Sequence, residues 1–179
     1  SSDPRLRRAG FSLSTWPSSQ PTINKSNCSL LIRGSVPGER QTINRAELRA
    51  FITYLKLTEG PGTYVTDSAY VCKGIARIHR GSLLATNTDL WSHCRDLLAN
   101  RPIESTKIES HMTEDDIAAG RISRPNWEGN KIADELAENG VCGALWADWW
   151  GFKIEAYDGI QENIALVDRP VGGCAIVHS

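Results

Sequence analysis

The chain has 179 residues and a formal net charge of −1, with 40% hydrophobic and 23% charged residues. These values are typical of a single globular domain with room for a short appendage. Because the charges nearly cancel, any contact with nucleic acid must come from a local patch and not from bulk basicity. No apolar run is long enough to span a membrane as a helix, and the first residues lack the apolar core of a signal peptide.

The five cysteines are odd in number, widely scattered and never spaced as C-x-x-C. This pattern argues against a disulfide framework or a structural zinc site, and it indicates a reducing compartment. We therefore expect an intracellular protein, cytoplasmic or nuclear, that is not secreted. The sequence begins with Ser1 and contains one methionine, Met112, so we expect a processed product or a piece of a longer protein.

Hydrophobic periodicity predicts a hairpin at the front of the chain, followed by a helix. Residues 10–15 alternate with a period of two, residues 28–33 form a second apolar run, and a Pro/Ser-rich turn separates them. From residue 44 to 57 the period becomes that of a helix. Its apolar face is formed by Leu48, Phe51, Ile52 and Leu55.

Helices and strands alternate in the next part of the chain. The pattern predicts strands over 63–66 and 106–110 and helices over 68–78, 88–99 and 127–139, the last ending at Gly140. Strands separated by helices indicate at least one parallel pair, so the whole sheet is expected to be mixed.

Residues 1–140 are assigned to this α/β domain and residues 141–179 to a C-terminal extension of unknown role. Within the extension, the stripe of Trp146, Trp149 and Trp150 is expected to pack a terminal helix onto the domain.

Three carboxylates lie where the predicted elements could bring them to one site. Glu47 is in the first turn of the first long helix, Asp67 ends a strand, and Asp134 is on the last helix of the domain. Ligands of open α/β sheets gather at the carboxyl ends of strands. Clustered carboxylates repel one another unless a divalent cation neutralises them, and such oxygen ligands suit Mg²⁺ or Mn²⁺.

Each carboxylate also has a simpler interpretation when it is taken alone. Asn44 and Glu47 have the spacing of a helix capping box. Asp67 and Ser68 could cap the helix that follows them. Asp134 could be a solvated residue on an amphipathic helix.

Five short motifs occur in a fixed order along the chain. They are NRAEL at 44–48, TDSAYV at 66–71, NTDLW at 87–91, SH at 110–111 and GNKIADELA at 129–137. This series resembles the type 1 ribonuclease H family, including the ribonuclease H domains of retroelement polyproteins, over about residues 8–140. The resemblance implies a ribonuclease H-like mixed β-sheet flanked by helices. It also implies hydrolysis of the RNA strand of RNA–DNA hybrids, leaving a 3′-hydroxyl and a 5′-phosphate.

The resemblance assigns roles to individual residues. In that family four carboxylates hold two Mg²⁺ ions, and Glu47, Asp67 and Asp134 match the second, third and fourth of them. His111 matches a histidine on a flexible loop that assists proton transfer or product release. Two metal ions suit phosphodiester hydrolysis because they activate water and stabilise the leaving oxygen.

The same resemblance suggests how the hybrid is bound. Asn44 matches a residue that contacts the minor groove, where the 2′-hydroxyl distinguishes RNA from DNA. Ser68 and Asn130, which lie within the matching motifs, are expected to contact substrate as well. A basic cluster near the start of the chain is expected to contact phosphates, and it consists of Arg5, Arg7 and Arg8.

The first family carboxylate is missing from its expected position. It belongs in an Asp-Gly-Ser turn after the first strand, and the chain is expected to begin just beyond it. The central strand of the sheet is therefore expected to be missing, which would expose the edges of both neighbouring strands. The run 163–168, which ends in Asp168, is a less favoured candidate for that place. As written, the chain is expected to show little or no cleavage.

Two other functional classes compete with the nuclease. One is a non-catalytic module on the same fold, which binds nucleic acid or scaffolds a larger retroelement protein. The other is an integrase or transposase, but the early position of Glu47 on the first helix disfavours it. An Asp immediately upstream of Ser1 would favour the nuclease over the module.

Overall fold

The computed structural model describes residues 10–36, 40, 42–139, 152–154 and 174–178. The elements in chain order are β1 (Gly10–Trp16), β2 (Leu30–Ser35), α1 (Ile43–Leu57), β3 (Gly62–Thr66), α2 (Ala69–His79), α3 (Thr88–Leu98), β4 (Ile103–Lys107), α4 (Glu114–Ala118), α5 (Arg124–Asn139), β5 (Phe152–Ile154) and β6 (Cys174–His178). The strands form one mixed sheet in the order β4-β3-β6-β1-β2-β5. The antiparallel β1/β2 hairpin and the parallel β3/β4 pair agree with the sequence prediction.

The largest differences from the prediction concern β4, the start of α5 and one additional helix, and β2 lies two residues later than predicted. The strand expected over 106–110 is β4, which starts earlier because buried Ile103 pairs with Gly62 in the parallel ladder. The last long helix begins at Arg124 and not at residue 127. Helix α4 lies where a polar loop was expected, and Thr113 caps it together with Asp116. None of its residues is buried, so it has no apolar periodicity that could have revealed it.

The centre of the sheet is occupied by the C-terminal strand β6. This strand is antiparallel to β1 and parallel to β3, with Val177 opposite Leu13 and Ile176 opposite Val65. The expectation that both neighbouring strands have exposed edges is therefore wrong, whereas the absence of the family's first strand from the chain stays a prediction. A gap between β1 and β3 would leave the backbone hydrogen-bonding groups of both strands unpaired, and β6 satisfies them.

Part of the C-terminal extension thus joins the same sheet as the domain, since β5 pairs with β2 at the outer edge. The proposed boundary at residue 140 stays a prediction. The run 163–168, the tryptophan stripe and Gly140 lie outside the described residues. Within the described part of the chain, no helix combines the length and the apolar character needed to cross a membrane.

Helices cover the two faces of the sheet, and each face has its own apolar core. Leu13 packs with α1, α2 and α3, whereas Trp16 packs with α5. Because alternate strand residues face opposite sides, this division assigns α1 and α5 to opposite faces. The predicted apolar face of α1 is buried in the first core, as are Tyr54, Tyr64 and Trp91.

Helix α5 lies unusually close to β1. The Ser12 hydroxyl donates to the Ala133 carbonyl at 2.7 Å, and the Ser14 hydroxyl donates to the Gly129 carbonyl at 3.2 Å. A Cβ atom at Gly129 would overlap the buried Trp16 ring, so glycine is required for this approach. These contacts determine where α5 presents Asp134, the residue after Ala133.

A similar close approach on the other face allows a test of the packing. A Cβ atom at Gly74 in α2 would overlap the fully buried Trp91 ring. We expect Gly74→Ala to destabilise the domain, because overpacking typically costs about 1–3 kcal/mol. Urea unfolding followed by circular dichroism measures the free energy of unfolding.

The matched control is Ala76→Gly at an exposed position of the same helix. We expect this substitution to lower the free energy of unfolding by about 1 kcal/mol, because at an exposed helix position only the lower helix propensity of glycine acts. A stabilising Gly74→Ala substitution would contradict the close packing of α2 against Trp91.

Candidate active site

The carboxyl ends of three strands lie together at what we call the Asp67 edge of the sheet. Asp67 directly follows β3, whose last residue Thr66 is level with Lys107 of β4 and Val177 of β6. One position further along β6 is His178. The backbone register therefore aligns His178, and not a carboxylate, with Asp67.

Glu47 is connected to the Asp67 edge through Ser68. The Glu47 residue is only 8% exposed, and its carboxylate accepts a hydrogen bond from the Ser68 hydroxyl. The same hydroxyl accepts a hydrogen bond from the Val71 amide at 3.2 Å and caps α2. Ser68 therefore has the capping role that the sequence allowed, and it also links Glu47 to the residue beside Asp67. Since Ser68 is buried, its hydroxyl is engaged within the protein.

The charge of Glu47 also affects the core beneath it. Burial raises the pKa of the Tyr64 phenol well above its ordinary value, and the Glu47 carboxylate acts in the same direction. Burial is likewise the main reason why the pKa of the Cys72 thiol is raised, and Glu47 adds to that effect. Tyr64 and Cys72 therefore stay neutral near pH 7 beside the Glu47 carboxylate.

The segment after β4 folds against Asp67. The Ile108 amide donates to the Thr66 carbonyl at 3.0 Å, and the Ser110 hydroxyl donates to Asp67 Oδ2 at 3.0 Å. His111 follows, exposed and with a left-handed backbone at φ 59°. The structure thus brings the predicted loop histidine next to the residue that contacts Asp67.

Asp134 is held on α5 on the other face of the sheet. Its Oδ2 atom accepts a hydrogen bond from Asn130 Nδ2 at 3.4 Å, and Asn130 itself is buried. The neighbouring Ala133 carbonyl is bound by Ser12, which is the register partner of His178. Asp134 therefore lies toward the Asp67 edge, although it approaches from the α5 side.

The three predicted carboxylates do not form a joint metal cage. Across the described ranges of the chain, no group of three or more His, Cys, Asp or Glu side chains is close enough to hold a metal ion. Glu47 and Asp134 belong to helices on opposite faces of the sheet, and each accepts a hydrogen bond from a neighbour. Mg²⁺ in proteins needs only one or two carboxylates together with water and substrate oxygens. The donor set fits a cation held in that way.

The structure describes only some of the residues that were predicted to contact substrate. Asn44 is exposed in the first turn of α1. It does not form the suggested capping box with Glu47, because Thr42 is the N-cap and accepts a hydrogen bond from the Arg45 amide at 3.3 Å. Arg5, Arg7 and Arg8 lie outside the described residues.

The sequence analysis missed a polar network beside the first turn of α1. Arg45 Nη2 lies 3.0 Å from Asp89 Oδ2, and Arg45 Nη1 donates to Asn87 Oδ1 at 3.1 Å. Asn87 has a left-handed backbone, and both Asn87 Nδ2 and Trp91 Nε1 donate to the Tyr70 hydroxyl. The opposite charges in the motifs NRAEL and NTDLW were the available signal for this link.

This network fixes the end of α1 that carries Asn44 and Glu47. Hydrogen bonding from the Arg45 guanidinium lowers the pKa of the Asp89 carboxyl, so the ion pair persists through the neutral range. Arg45, Asn87 and Tyr70 therefore link the first turn of α1 to the starts of α2 and α3.

The mixed sheet, with helices on both faces and acidic side chains at the Asp67 edge, defines an α/β domain. Residues 20–142, more than half of the chain, match the RNase H family. Ribonuclease H of Schizosaccharomyces pombe is 32% identical over 119 residues, which cover 60% of this chain and 40% of that protein. The chain belongs to the ribonuclease H family, and it spans less than half the length of this curated relative.

Proposed function

We propose that this domain binds RNA–DNA hybrids and hydrolyses their RNA strand, and that its activity depends on a divalent cation. The observation that carries this proposal is the linked arrangement at the Asp67 edge. There Ser68 connects Glu47 to the strand end, and Ser110 connects Asp67 to the segment with His111. Membership of the ribonuclease H family supports the assignment of a metal-dependent hydrolysis of RNA to the Asp67 edge.

Of Glu47, Asp67 and Asp134, one or two carboxylates would hold Mg²⁺ or Mn²⁺ together with water and substrate oxygens. When bound, such ions activate a water molecule and stabilise the leaving oxygen of a phosphodiester. Ser68 and Ser110 orient two of the carboxylates through their hydroxyl groups.

Two further residues act on the substrate side of the site. The exposed His111 imidazole, one residue after Ser110, is suited to assist proton transfer, because its ring nitrogens can donate and accept hydrogen bonds. Asn44, exposed at the start of α1, is suited to hydrogen-bond the 2′-hydroxyl of the RNA strand.

We expect the cleavage rate of the present chain to be low. The β6 position level with Asp67 is His178, so β6 adds no carboxylate there. A site with one carboxylate fewer binds Mg²⁺ more weakly, because Mg²⁺ relies on very few protein ligands.

A panel of nucleic acids tests the proposed function. Four substrates of equal sequence are tested separately. Three contain the same end-labelled RNA strand, which is single-stranded, in an RNA–DNA hybrid or in an RNA duplex. The fourth is a DNA duplex. We expect the hybrid to be bound in preference to the DNA duplex, with slow cleavage of its RNA strand in Mg²⁺ or Mn²⁺. Anisotropy measures binding, and a denaturing gel measures cleavage.

The same panel in EDTA is the control for metal dependence. An Asp67→Asn chain, purified in parallel, controls for contaminating nuclease. Equal binding to the hybrid and the DNA duplex would contradict the proposed function, and so would cleavage that persists in EDTA.

The second candidate is a non-catalytic hybrid-binding module of a larger retroelement protein. What favours it is that His178, and not a carboxylate, follows Val177, the β6 partner of Thr66. For this candidate, hybrid binding is retained while no metal-dependent cleavage is detected at any enzyme concentration. The panel therefore separates the two functions by a single comparison of binding with cleavage.

A further inference from the structure

We propose that Lys107 binds a phosphate group of the hybrid beside Asp67. This inference rests on the proposed function, because it names a substrate contact at the same site. Nothing in the sequence motifs singled out Lys107, which lies between the matching segments. The structure assigns it a place at the Asp67 edge.

The position of Lys107 is determined by the parallel ladder. It is the last residue of β4 and pairs with Thr66, the residue before Asp67. The next amide, that of Ile108, donates to the Thr66 carbonyl and keeps the two chains together past the end of β4. Lys107 therefore lies at the end of the sheet that carries Asp67. It precedes Ser110, which contacts Asp67, by three residues.

The Lys107 side chain is accessible to a ligand. Its ammonium group lies 2.8 Å from Glu109 Oε1, and the side chains of Lys107 and Glu109 are 40% and 77% exposed. Exposed ion pairs contribute little to folding stability, since water screens them. A phosphate oxygen can therefore replace the Glu109 carboxylate as the partner of Lys107 without disturbing the fold.

The negative charge of the Asp67 edge explains why a cationic side chain beside it would help to bind a phosphate backbone. Glu47 and Asp67 make the edge negative, and this charge repels a phosphate backbone that approaches it. Hydrogen bonding to Glu109 raises the pKa of Lys107, and the charge of Asp67 acts in the same direction. Lys107 thus remains cationic over the neutral range and offsets the repulsion where the nucleic acid must come closest to the carboxylates.

The contact is expected to be independent of base sequence. A lysine ammonium acts as a compact point charge, which recognises phosphate by charge and not by a base pattern. Each phosphate that a cation neutralises releases counterions, so binding becomes dependent on salt. A single contact of this kind should change the salt dependence by about one unit of logarithmic slope.

Hybrid binding by anisotropy in EDTA tests this inference without any contribution from metal or cleavage. We expect Lys107→Gln to weaken binding by roughly three- to tenfold at low salt and to reduce the salt slope by about one. Lys107→Arg should retain most of the affinity, because it keeps the charge. Glu109→Gln should tighten binding, since it frees Lys107 from its partner.

The matched control is Arg95→Gln. Arg95 is also an exposed cation beside an acid, Asp96, and it lines a groove with Pro102 at the other end of β4. Its removal should leave the salt slope unchanged. Circular dichroism confirms that each variant is folded.

Two results would overturn the inference. The first is a Lys107→Gln chain with the affinity and salt slope of the unmodified chain. The second is a Glu109→Gln chain that binds as weakly as Lys107→Gln. This result would mean that the ion pair between Lys107 and Glu109 stabilises the conformation of residues 107–109 and that Lys107 does not bind phosphate. If the unmodified chain binds no hybrid, the proposed function fails together with the inference, and this outcome is distinct from the other two.

Discussion

Asp67→Asn is expected to abolish metal-dependent cleavage and to weaken Mn²⁺ binding by about ten- to hundredfold or more. The substitution removes one negative charge and one strong oxygen ligand from the strand end. Asparagine keeps the shape of the side chain, and its carbonyl oxygen can still accept the hydrogen bond from Ser110. The fold is therefore retained while the charge is lost.

Electron paramagnetic resonance measures free Mn²⁺ during a titration, and a gel with excess enzyme measures single-turnover cleavage. The matched control is Asp115→Asn, which removes an exposed carboxylate from α4. It should change neither quantity. If Asp67→Asn bound Mn²⁺ as tightly as the control, Asp67 would not be a metal ligand.

The second large effect is expected from proline at position 176. Ile176 lies in the middle of β6 and pairs with Ser14 of β1 on one side and Val65 of β3 on the other. Proline has no amide hydrogen and is essentially absent from the centre of sheets. We expect Ile176→Pro to lower the free energy of unfolding by on the order of 3 kcal/mol or more.

Lys153→Pro is the matched control because β5 is an edge strand that pairs with β2 alone. It should cost much less than the central substitution. Urea unfolding monitored by tryptophan fluorescence compares the two variants. Equal midpoints would contradict the central position of β6.

Some parts of the structure were predictable because their signals are local. The β1/β2 hairpin follows from alternation and turn residues, and α1 follows from apolar spacing that one helix face must bury. The exposed helix α4 had no such signal. The same local reasoning placed Asp67 at a strand end, and the order of five motifs pointed to the family.

The sequence by itself thus predicted the strands β1 to β4, the long helices, the mixed character of the sheet and a set of candidate carboxylates. Only the tertiary structure decided that β6 fills the sheet centre, because strand pairing satisfies backbone groups from distant segments and leaves no periodic trace. Only the tertiary structure joined Glu47 to Ser68 and set Lys107 beside Asp67. These contacts depend on which strands become neighbours, and that choice is made by the whole sheet and its two helical layers.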